Sequence, residues 1–132
     1  MNYFKDLEAL LDHSSAPYSG FNVASIIVTK EGEVFKGVNV ESVAYPTTIC
    51  AERNAIFSAI TEGVKSGEIK EVHILARNSE KDFVAAFPCG SCRQVIAEQS
   101  LNEATVYVYS AETEVSKHTI DSLLPHAFVS LT

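Results

Sequence analysis

The chain has three cysteines, and they fall in two short stretches: Cys50-Ala51-Glu52-Arg53 and Pro88-Cys89-Gly90-Ser91-Cys92-Arg93-Gln94. Two cysteines separated by two residues can bite one edge of a tetrahedral ion. A third thiolate from elsewhere leaves the fourth position open, as catalytic rather than structural zinc requires. Cys50, Cys89 and Cys92 are therefore read as ligands of one Zn²⁺ per subunit. Glu52, two residues from Cys50, is the natural base for a water at the open position. Two other chemistries use similar parts. A redox pair at Cys89 and Cys92 would leave Cys50 and Glu52 without a purpose. A structural zinc-binding module, closed by one of the four histidines, would have no need of an adjacent carboxylate.

Both stretches open helices. Ala51, Ala55, Ile56, Ala59 and Ile60 recur at helical spacing to about Glu62, where Gly63 can form a left-handed cap, and Val95, Ile96 and Gln99 follow Cys92 in the same way. The metal site is thus expected where two helix N-termini meet. Upstream, Tyr3, Phe4, Leu7, Leu10 and Leu11 form the stripe of a first helix that Pro17 terminates, and Tyr18 to Phe21 form a loop. Residues 23–29 and 34–40 read as an antiparallel hairpin across the Lys30-Glu31-Gly32-Glu33 turn, with Asn39 and Glu41 on one side of its far end.

Residues 71–77, 105–109 and a short run at 115–118 read as further strands, and residues 78–82 as a polar loop. Thr119 caps a last helix that runs to Leu124 before Pro125 ends it. The expected fold class is α/β: a three-layer sandwich with a mixed sheet of about five strands and the two metal helices side by side on one face. At 132 residues the chain is expected to form a single catalytic domain, 1–132.

The formal net charge of -7, from ten Lys and Arg against seventeen Asp and Glu, opposes binding to nucleic acid, which requires cations for its phosphates. A free small molecule is the expected partner. An odd number of cysteines, all used by one metal site, argues for a reducing compartment, read as the cytoplasm. Lys5, Asp6, Glu8 and Asp12 interrupt the apolar residues near the N-terminus, so neither a targeting segment nor a membrane span is expected there. None of His13, His73, His118 and His126 has ligand spacing to the cysteines, and each is read as structural.

The combination of Cys-x-Glu with Pro-Cys-x-x-Cys resembles the signature of zinc nucleobase and nucleoside deaminases. Further motifs resemble the small, homotetrameric cytidine deaminases from end to end: Pro17-Tyr18-Ser19-x-Phe21-x-Val23, Asn39-Val40-Glu41, Ala44-Tyr45, and Leu123-Leu124-Pro125-x-Ala127-Phe128. The resemblance implies zinc-dependent hydrolysis of cytidine and deoxycytidine to uridine and deoxyuridine plus ammonia, in pyrimidine salvage. It implies that Glu52 shuttles protons, that Asn39 and Glu41 grip the ribose, and that Phe21 contacts the nucleoside from the same subunit.

It further implies that Phe128 reaches in from a neighbour, that Tyr45 lies near the pocket wall, and that Arg53, held by Gln94, hydrogen-bonds the thiolates. Where the family shows Val-Gly-Ala the chain has Val23-Ala24-Ser25; Ser42-Val43 replaces Asn-Ala, and His126 replaces a frequent Gly. The related blasticidin S deaminases share the cysteine motifs, but Asn39-x-Glu41 and Arg53 speak for the cytidine branch. The apolar tail, Ala127-Phe128-Val129 to Leu131, independently favours association, because so short a chain has little core left to bury it.

Overall fold

The computed structural model describes residues 2–131. Its central strands are buried on both faces, which requires helices above and below. Strands β1 (Asn22–Thr29) and β3 (Ile69–Arg77) are buried over most of their lengths. With β2 (Val34–Val38), β5 (Thr105–Ala111) and β6 (Glu114–Thr119) they form a sheet of order β2-β1-β3-β5-β6, and a two-residue strand, β4 (Phe83–Val84), pairs with β3. Strands β3 and β5 are parallel and the other pairings antiparallel, so the sheet is mixed as expected.

Helix α1 (Phe4–Leu11) lays Phe4, Leu7 and Leu11 on Ala24, Ile26, Val28 and Leu75. Helices α2 (Ala51–Thr61) and α3 (Gly90–Gln99) cover the opposite face, where Ala55, Ile56, Ala59, Ile96 and Ala97 meet Ile27, Val72, Ile74, Val106 and Val108. The last helix, α4 (Ile120–Leu123), is capped by Thr119, whose side chain accepts from Ser122 N, and adds Ile120 to this core. Consecutive residues therefore serve opposite layers: Ile26 faces α1 and Ile27 faces α2.

Gly37 lets α2 approach β2. A Cβ at this position would lie 2.4 Å from Ala55 N and 2.6 Å from Ala51 O, so no side chain fits between strand and helix. Asn54 adds a tether, its Nδ2 donating to Val38 O at 2.9 Å.

One expectation needs correction. The second strand ends at Val38 rather than residue 40, because the segment after α1 inserts at this end. Ser15 N donates to Asn39 O and Glu41 N to Ser15 O. Val40 nevertheless bridges Ser15 and Ile49, so the chain stays paired beyond the strand, with Asn39 and Glu41 flanking that bridge. The polar loop at residues 78–82 is present: Asn78 Oδ1 accepts from Glu80 N and Asp82 N, and this turn reverses the chain into β4, which the sequence did not reveal. The departures from family pattern are accommodated locally. Ser25 Oγ donates to His73 O, Ala24 is buried in the α1 layer, and His126 takes a left-handed φ of 55°, where glycine is at ease.

His73 is 1% exposed and lies between the sheet and α1. Its Nε2 is 2.8 Å from Glu71 Oε1 and its Nδ1 is 2.8 Å from the Tyr109 hydroxyl, which in turn accepts from Tyr3 N. A carboxylate can only accept, so Nε2 carries the proton and Tyr109 donates to Nδ1. The ring stacks on Tyr107, with centroids 4.5 Å apart. Burial holds the His73 pKa below the ordinary histidine value, against the opposing pull of Glu71.

Two outcomes follow. Gly37→Ala should cost on the order of 1–3 kcal/mol by overpacking, read as a lower urea midpoint, and should weaken metal retention because α2 carries Cys50 at its start. The folded state also binds fewer protons at His73 than the unfolded chain does. Its contribution is therefore complete above the unfolded pKa of about 6.5 and is lost as pH falls below it. Urea midpoints should decline as pH falls below about 6.5, and His73→Gln should flatten that slope.

Candidate metal and nucleoside site

Cys50 and Cys89 are the N-cap residues of α2 and α3, both in extended conformation, and Cys92 lies in the first turn of α3. Their sulfurs thus meet where two sets of unpaired backbone N–H groups and two positive helix ends converge. The Cys50 and Cys89 sulfurs are 3.8 Å apart, and all three lie within 4.8 Å of one another. A tetrahedral ion with bonds to sulfur of about 2.3 Å has edges of about 3.8 Å, so the donor set fits zinc in type and spacing. The three cysteines are free thiols.

Arg53 supplies the nearest cation. Its Nη2 donates to Cys50 Sγ at 3.4 Å, and this bond, with a further one to Cys92, raises the guanidinium pKa. The Cys50 thiol is pulled down to about 5, first by its hydrogen bond with Cys92 and then by Arg53. Cys92 moves the opposite way, up, because it shares its proton with Cys50 and is buried; the two titrate as a pair. Glu52 is 4% exposed, and its carboxyl is pushed up to about 7, chiefly by burial and secondarily by the Cys50 charge. A dication in the cluster would draw it down.

Glu52, Cys50 and Cys89 face a cavity of about 220 Å³ between α2, the start of β1 and the connection from β4 to α3. Phe21, Val23, Asn39, Thr48, Ile49, Ile74, Ala86 and Phe87 complete its wall. Phe21 and Asn39 thus line the same cavity as Glu52. Glu41 and Tyr45 do not line this cavity. They line an adjoining recess with Tyr18, Ser19 and Ser42, and the two spaces share Thr48. The Glu41 carboxylate accepts from the Ser19 hydroxyl and from Tyr18 N and Ser19 N, and these bonds, the hydroxyl first, lower its pKa. Tyr45 opens a 3₁₀ turn (Tyr45–Thr47), is 71% exposed and meets Tyr18 edge-on.

One expectation about the surroundings of the site is altered. Gln94 does not hold Arg53: its Nε2 donates to Glu98 Oε1 at 2.9 Å and to Phe128 O at 2.6 Å, because its place on α3 turns it toward the C-terminal segment. Phe128 is 64% exposed and lies outside the cavity of its own subunit, beside Glu98 and Val129. Sequence reasoning missed Arg93, which clamps the cysteine turn by donating from Nε to Pro88 O and from Nη1 to Leu123 O. It also missed Asn54 and Phe87. An Arg directly after a cysteine ligand was the available signal for the first, whereas the other two depend on packing between distant segments.

Residues 2–109 match the family model described as the cytidine and deoxycytidylate deaminase zinc-binding region. The chain belongs to this deaminase family. A cytidine deaminase of Sporosarcina psychrophila is 35% identical over 130 residues, covering 93% of this chain and 91% of that protein. The crystal structure of a cytidine deaminase from Burkholderia pseudomallei superposes with a TM-score of 0.84 at 35% identity, covering 94% of each chain. A blasticidin-S deaminase of Bacillus cereus is 28% identical over 106 residues, 79% of this chain and 74% of its own. As in other members of this deaminase family, the sulfur cluster is a zinc site.

Purified protein should carry about one zinc per chain, with three sulfurs and one lighter atom in X-ray absorption, and each Cys→Ser variant should lose it. Arg53→Ala should keep the ligands but weaken zinc affinity by roughly 10- to 100-fold in chelator competition.

Proposed function

We propose that the chain hydrolyses the 4-amino group of free cytidine and deoxycytidine, giving uridine or deoxyuridine and ammonia, as a step of pyrimidine salvage. The observation that carries this reading is the buried Glu52 carboxyl beside three sulfurs at zinc spacing, at the end of a small, mostly apolar cavity. Zinc bound by Cys50, Cys89 and Cys92 supplies a Lewis acid that makes water nucleophilic near neutral pH.

The remaining work falls to the chain. Glu52 takes a proton from the attacking water and passes it to N3 of the pyrimidine as the oxygen adds to C4. It then delivers the second water proton to N4, the C4–N4 bond breaks, and ammonia leaves. A carboxylate fixed in a dry wall can serve both transfers without reorganising. Phe21, Val23 and Ile74 offer apolar surface to a planar base. Asn39, with Glu41 and Tyr45 in the adjoining recess, is assigned to the sugar. With a net charge of -7, a nucleoside is a better ligand than a polynucleotide.

Association into a homotetramer completes the reading. A cavity of about 220 Å³ is below the roughly 300–1,000 Å³ of small-molecule sites, and Phe128, Val129 and Leu131 remain at the surface, with Phe57 and Ile60 exposed on α2. Phe128 is assigned to the wall of a neighbour's site. Among the described residues no helix is long and apolar enough to cross a membrane, and three free thiols this close together suit the reducing cytoplasm.

Ammonia release across a nucleoside panel tests the substrate: cytidine and deoxycytidine should turn over, and a preference for blasticidin S would overturn the assignment. Glu52→Gln should keep fold and zinc while lowering turnover by roughly 10²- to 10⁴-fold. Refolding Glu52→Gln together with Phe128→Ala should regain activity that neither has alone, because some mixed tetramers combine an intact Glu52 with a neighbour's Phe128. Full activity in a sedimenting monomer would refute the shared wall.

A further inference from the structure

Phe87 is a part of the cavity that the chemistry above does not use. Its ring is 46% exposed, yet it lines the same small cavity as Glu52 and Cys89. It is also held in place: His118 of β6 meets it edge to face, with centroids 4.9 Å apart and planes at 66°. His118 is anchored in turn, its Nε2 lying 2.9 Å from Ser116 Oγ. A bulky ring on the connection into α3 is therefore held by a residue of strand β6.

The topology indicates which part of a pyrimidine the ring would meet. Helix α2, which carries Glu52, packs over β1 and β2. Residues 86–89 approach from the other flank, along the connection from β4, which pairs with β3, into α3. In a pyrimidine with C4 at the sulfur cluster and N3 at Glu52, the ring atom on the far side of C4 is C5. The C5 edge then faces the wall made by Ala86 and Phe87.

We propose that Phe87 is a specificity-determining residue that closes the cavity against substituents on C5 of the pyrimidine, and that His118 is the positioning residue that holds its ring there. This inference rests on the cytidine reading of the site. Close-packed walls resist added atoms, and one extra carbon against a fixed apolar wall changes kcat/KM by roughly 10- to 200-fold. A ring pinned by His118 cannot yield as a free surface side chain would. A leucine at this position would keep apolar cover but remove the reach of the ring.

The test compares kcat/KM for 5-methylcytidine with that for cytidine in the zinc-loaded enzyme. Electronic effects of the methyl group cancel when this ratio is compared between variants. Phe87→Ala should raise the ratio at least about 10-fold. Phe87→Leu should raise it less, His118→Ala should raise it in part, and His118→Tyr, which restores an aromatic edge, should bring it back toward the wild-type value.

Calorimetry of the products gives a second readout: 5-methyluridine should gain affinity relative to uridine in Phe87→Ala. An unchanged ratio in folded, zinc-loaded Phe87→Ala overturns the inference. If that variant does not fold, an unchanged ratio in Phe87→Leu overturns it. A wild-type enzyme that accepts both nucleosides equally overturns it as well. A zinc-loaded wild type with no activity on cytidine overturns the underlying reading instead, and the two failures are thereby distinguished.

Discussion

Holding three sulfurs within 4.8 Å of one another is the constraint on which the rest of the structure depends. Two thiolates at about 4 Å repel by about 4 kcal/mol at an effective dielectric constant of 20, so a fully ionised cluster is untenable without positive charge around it. That charge can come in three forms. The N-termini of α2 and α3 point at the sulfurs, Arg53 bonds Cys50 directly, and the donor geometry admits a dication. Without a cation, the opposite pKa shifts of Cys50 and Cys92 express the same repulsion, since one proton must remain between them.

Bringing two helix ends to one point is a problem of packing before it is one of chemistry. Helix α2 reaches its place because Gly37 lets its backbone contact that of β2, and Asn54 ties it to Val38. Helix α3 is placed by a different device, the Arg93 guanidinium bridging Pro88 O and Leu123 O, which connects the cysteine turn to α4. The two sides of the metal site are thus fixed independently. One depends on an absent side chain and the other on a long charged one.

Much of this was legible in the sequence, and the remainder shows where such reading stops. Hydrophobic period and turn residues located α1, α2, α3 and the long strands, because burial imposes those periods directly. Cys50, Cys89 and Cys92 were legible because ligand chemistry tolerates few residue types. Strand β4 was not, since two residues carry no period, and its existence depends on the turn built by Asn78. Gln94 was assigned to Arg53 from resemblance, but it spans to Phe128 O. Which long polar side chain meets which partner is decided by the tail's path across α3, and nothing near Gln94 in sequence encodes that path. Phe87 escaped notice for the same reason, its partner lying on β6.

The layer facing away from the metal also reaches the cavity, through Asn39. Its Oδ1 accepts from Val23 N at 2.9 Å and from the Ser14 hydroxyl, while its Nδ2 donates to Phe21 O at 2.8 Å. Both acceptor positions on Oδ1 are therefore filled, and a flipped amide would set Nδ2 against the Val23 N–H and Oδ1 against a carbonyl. One N–H remains for a ligand, so Asn39 faces the cavity as a donor only. Ser14 lies in the turn after α1, where its N–H donates to Leu11 O, and its hydroxyl accepts in turn from Asn22 Nδ2. The hydrogen-bonding sense of this cavity wall is thereby fixed by the Val23 N–H and the Phe21 carbonyl beside the start of β1, and a hydroxyl meeting Asn39 there must do so through its oxygen.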